Sequence, residues 1–161
     1  MTQPESLPRR LLALPMYLML ALTREGHRHA VQSKIHIRMP HYAVLATLAE
    51  FGSSSQQEIA ERIGFDKSDV TKIINALEEQ ELLRRTTDEA DRRRHSVTLT
   101  AKGRRQLDAS DREIVASMRS FLRGLSSPEY QQLQQLLLKA LQVHDPRFVS
   151  SQATQDIKVL T

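Results

Sequence analysis

The chain has 161 residues, 40% of them hydrophobic, which suits one compact domain with extensions and argues against global disorder. It has no cysteine, so disulfides, thiolate metal sites and thiol redox sensing are excluded together. A net charge of +4, from 23 basic and 19 acidic residues, admits an anionic partner.

The charge is unevenly distributed. Residues 82–105 carry eight Lys/Arg against three acids and residues 1–38 carry six against two, whereas residues 66–81 carry two against five. Arg9 and Arg10 precede an uncharged run from Leu11 to Thr23, the outline of a signal peptide's first two regions. The run is too short to span a bilayer as a helix and no A-x-A pattern follows it. The preferred reading is a buried helix in a cytoplasmic protein with no membrane partner.

Taken in order, residues 7–33 read as helical, with Pro15 either following a short first helix or sitting in the first turn of the main one. Met16, Leu20 and Thr23 form one stripe and Tyr17, Leu18 and Ala21 another. A helix apolar on so much of its surface contacts more than one neighbour, and a subunit interface would explain it. Residues 40–51 form a second helix with Val44, Leu45 and Leu48 facing inward. Ser55 to Glu58 is a capping-box pattern opening a third, with Ile59, Ala60 and Ile63 on its buried face. Gly64 supplies a left-handed cap, Phe65 returns to the core, and Asp66 starts the next helix, with Asp69 bonding back to its first turn.

Residues 66–81, DKSDVTKIINALEEQE, organise the rest. Val70, Ile73, Ile74 and Leu77 recur at helical spacing on one face, and Ser68, Thr71, Lys72 and Asn75 on the other. The polar side chains are short enough to bring a helix close to base edges, and Lys72 adds charge. An ordinary surface helix would share this pattern; its flanks favour a helix-turn-helix. Candidate DNA contacts are Ser68, Thr71, Lys72 and Asn75, with Ser55, Gln56, Lys67 and Arg84 around them. Strands are expected at Leu82–Thr86 and Ser96–Thr100, joined by the polar segment TDEADRRRH. A hairpin with a basic loop after a helix-turn-helix is a wing, whose Arg92, Arg93 and Arg94 suit phosphate or a narrow minor groove. Residues 101–125 form a long helix striped by Leu107, Ile114, Met118, Phe121, Leu122 and Leu125. Ser127 and Pro128 open a last one, striped by Tyr130, Leu133, Leu137 and Leu141.

These segments together resemble the MarR family of winged-helix transcription regulators. The resemblance is carried by HYAVLATLAEFG (41–52), QQEIAERIGFDKSDVTKIINALEEQELLRR (56–85), DEADRRRHSVTLTAKG (88–103) and LSSPEYQQL (125–133), in order over about residues 15–142. Its most specific part is the acidic-then-arginine loop followed by Leu99, Thr100 and Gly103. The resemblance implies a mainly α fold with a small β-hairpin wing and a helical dimerisation region. It also implies a homodimer gripping a pseudo-palindromic double-stranded DNA operator, often with a small-ligand pocket between the two regions. The implied organisation is a dimerisation helix region over 1–38, a winged helix-turn-helix over 39–103, dimerisation helices over 104–145 and an extension over 146–161. Ala90 stands where the family wing carries its first arginine, and Met39 and Pro40 replace the usual polar cap.

The expected function is a sequence-specific regulator, a repressor, released by a small anionic or aromatic effector. Tyr17, Leu20, Arg24, His41 and Tyr42 could bind such an effector, because an arginine with phenols suits an anionic aromatic molecule; they could equally be interface packing. The alternatives are a winged-helix protein working through protein contacts, or a metal-responsive regulator using some of His27, His29, His36, His41, His95 and His144. His27 and His29 do not share a helix face, and no metal-ligand spacing is present. No metal or other cofactor is implied. With no Gly-rich phosphate loop, paired carboxylates or nucleophile elbow, an enzyme is not expected.

Overall fold

The computed structural model describes residues 6–33, 35–87 and 95–148. The expected wing arginines Arg92, Arg93 and Arg94 lie outside the described residues, as do positions 149–161 of the C-terminal extension.

The chain begins with α1 (Arg9–Leu12) and α2 (Pro15–Gln32). Pro15 occupies the first turn of α2, where its missing N–H has no helical partner to lose. Within the single chain no residue of α2 is buried. Among the described elements α1 and α6 lie against it, and Met16, Leu18 and Leu20 are exposed in the single chain.

Three helices follow: α3 (Met39–Phe51), α4 (Gln56–Ile63) and α5 (Lys67–Glu79). Ser55 caps α4 reciprocally: its hydroxyl accepts from the Glu58 amide at 3.2 Å, and its own amide donates to the Glu58 carboxylate at 2.7 Å. Gly64 ends α4 at φ 71°, ψ 31°, the left-handed conformation that favours glycine. Phe65 does not re-enter the core and is 38% exposed. Its amide reaches back to the Ala60 carbonyl at 3.1 Å to close the helix, which leaves its side chain outside the apolar cluster. Asp66 stands at the N-cap of α5 with extended backbone but makes no side-chain cap bond, and Asp69 turns to Lys72 instead of the open amides.

The hairpin pairs β1 (Leu83–Thr87) with β2 (His95–Leu99), in the register Leu83↔Leu99 and Arg85↔Val97. Each strand stops one residue short of its expected inner end, for a definite reason. Leu82 donates to the Leu77 carbonyl at 2.9 Å and so closes α5, while Thr100 is the cap of the next helix. Ser54, buried in the α3–α4 turn, adds a bridge to Val97 through bonds of 3.1 and 2.8 Å. That ties the hairpin to the helix-turn-helix. The core is Val44, Leu45 and Leu48 of α3, Ile59 of α4, Val70, Ile74 and Leu77 of α5, with Leu83, Val97 and Leu107 closing it.

Two longer helices complete the chain, α6 (Ala101–Phe121) and α7 (Ser127–Gln142). Helix α6 was expected to reach residue 125 but turns at Leu122, whose amide closes on the Met118 carbonyl. The cap of α7 is Ser126 rather than Ser127; the Ser126 amide and hydroxyl both donate to the Glu129 carboxylate, at 2.7 and 2.6 Å. Pro128 still fits the first turn.

At the start of α6 the Leu-Thr-x-x-Gly pattern acquires a physical meaning. The Thr100 hydroxyl accepts from the Gly103 amide at 3.0 Å while lying 2.7 Å from the Glu81 carbonyl and 3.0 Å from that of Leu82. A Cβ on Gly103 would sit 1.9 Å from the Leu82 carbonyl oxygen, so only glycine lets α6 approach the end of α5 this closely.

Candidate nucleic-acid interface

Helix α5 divides as its sequence pattern requires. Val70, Ile73, Ile74 and Leu77 are buried, while Lys67, Ser68, Lys72 and Asn75 are exposed and Thr71 is half-buried. Thr71 donates its hydroxyl proton to the Lys67 carbonyl at 2.8 Å and lies 3.5 Å from Gln56 Oε1, so the start of α4 and the outer face of α5 meet there. Lys72 is engaged with Asp69 at 2.9 Å, and this hydrogen bond and the carboxylate's charge raise its pKa. Ser55 Oγ accepts from the Glu58 amide and so caps α4.

The adjacent arginines of β1 go to opposite faces. Arg84 is exposed and touches Thr98 Oγ1 at 3.4 Å. Arg85 shares the inward face with Leu83 and Val97 and is half-buried. Its amide donates to Glu78 Oε1 at 3.0 Å, its guanidinium pairs with the other oxygen of Glu78, and Nη2 donates to Asn75 Oδ1 at 2.5 Å. Sequence reading passed over Arg85, although strand alternation from Leu83 puts it on the inward face.

A cavity of about 550 Å³ opens on the side of α5, lined by Arg38, Pro40 and His41 of the α3 start, by Phe65, and by Asp69, Lys72 and Ile73. Burial first, and the Arg38 charge second, hold the His41 imidazole below its ordinary value, so it is neutral at pH 7. Its Nδ1 is buried with no hydrogen-bond partner among the described residues. Among those residues no group of three His, Cys, Asp or Glu could hold a metal ion, and no helix is long and apolar enough to cross a membrane.

A sequence profile of the MarR family matches residues 37–95, the span of these features. The transcriptional regulator HosA of Escherichia coli O127:H6 is 31% identical over 102 residues, a match covering 63% of this chain and 76% of HosA. The chain belongs to the MarR family of transcriptional regulators. A Thauera aromatica protein named as a transcriptional regulatory protein for the hcr operon is 31% identical over 88 residues, covering 55% of this chain and 53% of that protein, so the match spans about half of this relative. The MarR-type fold is shared with Bordetella bronchiseptica BpsR, at a TM-score of 0.71 and 24% identity over 80% of this chain and 93% of the other. The work on that structure concerns regulation of its DNA binding by 6-hydroxynicotinic acid.

Of the five residues considered for an effector, His41 alone lines the cavity beside α5; Tyr17, Leu20 and Arg24 are on α2, where Arg24 pairs with Glu25 at 3.0 Å. Arg38, which sequence reading did not single out, is the cavity's cation from α3. Tyr42 turns to α6 in this MarR-family chain, donating its phenolic hydrogen to Asp111 Oδ1 at 2.7 Å. Burial, followed by the hydrogen bond and charge of Asp111, pushes the phenol pKa up to about 12 from 10.0. The folded state therefore holds the proton more tightly than the unfolded state. The stabilisation is fully present below pH 10 and is lost as pH rises towards 12. Absorbance titration of the phenolate, with Tyr42→Phe as the reference, should show one tyrosine ionising near pH 12; a difference spectrum centred near pH 10 would refute this.

Proposed function

We propose that this protein is a sequence-specific DNA-binding repressor that acts in the cytoplasm as a homodimer on a pseudo-palindromic operator. The observation that carries this reading is helix α5, anchored by four buried aliphatic residues and presenting Ser68, Thr71, Lys72 and Asn75 on its other face, within the segment that matches the family. Short polar groups suit base edges in the major groove, and the exposed Arg84 suits phosphate. Thr71→Ala should cost roughly 1–3 kcal/mol on the cognate operator and little on scrambled DNA. Arg84→Ala should weaken both more evenly and lower the salt slope by about one unit. A salt titration on both DNAs reads this directly, and an unchanged operator-to-scrambled ratio in Thr71→Ala would refute the assignment of the reading face.

The acidic side of α5 supplies a test of opposite sign. Asp69→Asn removes a charge beside the DNA and releases Lys72. Affinity for any duplex should rise and the salt slope should steepen by about one unit. Loss of an acid from the first turn should cost the helix about 0.3–1 kcal/mol. Unaltered binding at every salt concentration would count against α5 facing DNA.

The homodimer reading is supported by apolar side chains left in solvent at both ends of the chain, including Met16 at 78%, Leu20 at 66% and Leu136 at 57% exposure. Equilibrium sedimentation at micromolar concentration should give twice the mass of 18.4 kDa. The cavity beside α5 supports release by a small anionic aromatic ligand: Arg38 provides charge, the neutral His41 a hydrogen bond, and Phe65 and Ile73 apolar contact. Because Lys72 and Asp69 belong to both the cavity wall and α5, an occupant there would compete with the geometry that meets DNA.

A further inference from the structure

We infer that Asn75 meets DNA as a hydrogen-bond donor only, and so selects guanine, with thymine second, rather than adenine at its position. This deepens the proposed role of α5 in reading DNA and rests on it. Asparagine is commonly paired with adenine because its carbonyl oxygen can accept from the N6 amino group while its amide donates to N7. That pairing requires both ends of the amide. In this protein one of the two lone pairs of Oδ1 is already used, by Arg85 Nη2 at 2.5 Å, and the guanidinium's charge and remaining N–H groups stand beside the other.

The chemistry leaves no ambiguity about which end. A guanidinium has five N–H donors and no acceptor, so the atom it meets must be the carbonyl oxygen of the amide. The arginine is itself held. Its amide donates to Glu78 Oε1 at 3.0 Å and its guanidinium pairs with the other carboxylate oxygen of Glu78, three residues beyond Asn75 on the same helix. The strand register fixes it from the other side, opposite Val97. Arg85 therefore acts as a positioning residue: it orients the Asn75 amide, and the exposed Asn75 side chain turns its NH2 away from the arginine. An adenine N6 amino group approaching Oδ1 would meet a cation's N–H groups, donor against donor. Two N–H donors on Nδ2 remain, and they match guanine best, whose major-groove edge offers both N7 and O6, then thymine O4; adenine offers N7 alone, beside an N6 donor that faces the guanidinium.

The test is selection from a random duplex library with the full chain and three variants: Asn75→Ala, Asn75→Asp and Arg85→Ala. Asn75→Ala identifies the position, as the one in each half-site where base preference disappears. At that position the unaltered protein should favour guanine over adenine by about tenfold. Asn75→Asp keeps an acceptor for Arg85 but has no N–H, so it should melt like the unaltered protein and lose the guanine preference. Arg85→Ala frees Oδ1 and should move the same position towards adenine; a purely structural arginine would instead lower binding to all sequences and leave the preference in place. Adenine selected by the unaltered protein, or an unmoved preference in Arg85→Ala, overturns the inference while leaving α5 as the reading helix. A library from which the unaltered protein enriches no sequence overturns the DNA-binding reading itself, and this inference with it.

Discussion

Gly103→Ala should destabilise the fold by about 3 kcal/mol, roughly 6–12 °C in melting temperature for a chain of this size. The added Cβ would lie 1.9 Å from the Leu82 carbonyl oxygen and 2.8 Å from Leu99 Cδ1. The first obstacle is backbone, which cannot rotate aside as a side chain can. Relief requires the start of α6 to lift from the end of α5, breaking the bonds from the Thr100 amide and hydroxyl to the Leu82 carbonyl, 3.1 and 3.0 Å long. Gly124→Ala is the matched control, because among the described residues nothing lies within 4 Å of its Cβ position and its φ is not positive. Thermal unfolding followed by circular dichroism should separate the two widely; coincident melting curves would show that the contact is not fixed.

Ile74→Ala should cost roughly 2–5 kcal/mol in equilibrium denaturation by guanidinium. Ile74 is fully buried, on the helix that packs against α3, α4 and β1 together, so truncation empties a space that no single neighbour can fill. Ser68→Ala on the exposed face of the same helix should stay within about 0.5 kcal/mol of the unaltered protein. The two substitutions should thus separate stability from recognition, the first lowering the unfolding midpoint and the second weakening operator binding alone. Equal midpoints would mean that α5 is not anchored through Ile74.

The parts of this architecture that were legible in advance are those written in local rules. The aliphatic stripe of α5, the Ser55–Glu58 cap and the left-handed Gly64 each depend on residues a few positions apart, and the structure has all three. What was missed depends on distant or partner-dependent contacts. The Ser54–Val97 bridge is two hydrogen bonds between segments 43 positions apart, with no periodicity to reveal it. Phe65 reads as a core residue by composition, yet the backbone bond that ends α4 leaves its side chain exposed. The apolar stripes of α2 read as a contact surface, and what covers them is not set by local rules: within the single chain none of its residues is buried. Within the proposed site, the polar face of α5 followed from spacing alone. The engagement of Asn75 by Arg85 did not, since it needs the hairpin register as well as the helix phase.

Helix α6 joins these regions, and its attachments have a mechanical consequence. Its first half is fastened to the winged helix by buried Leu107 and by the Tyr42–Asp111 bond; its far end packs Phe121 against Gly26 and His29 of α2. At 21 residues it is about 31 Å long, so it works as a lever. A tilt of about 5° about one end would sweep the other through about 3 Å, the length of a hydrogen bond. On the proposed reading of α5, whatever fixes α2 would set the angle of α6, and a tilt of that size would be enough to shift where Thr71 and Asn75 stand against a base.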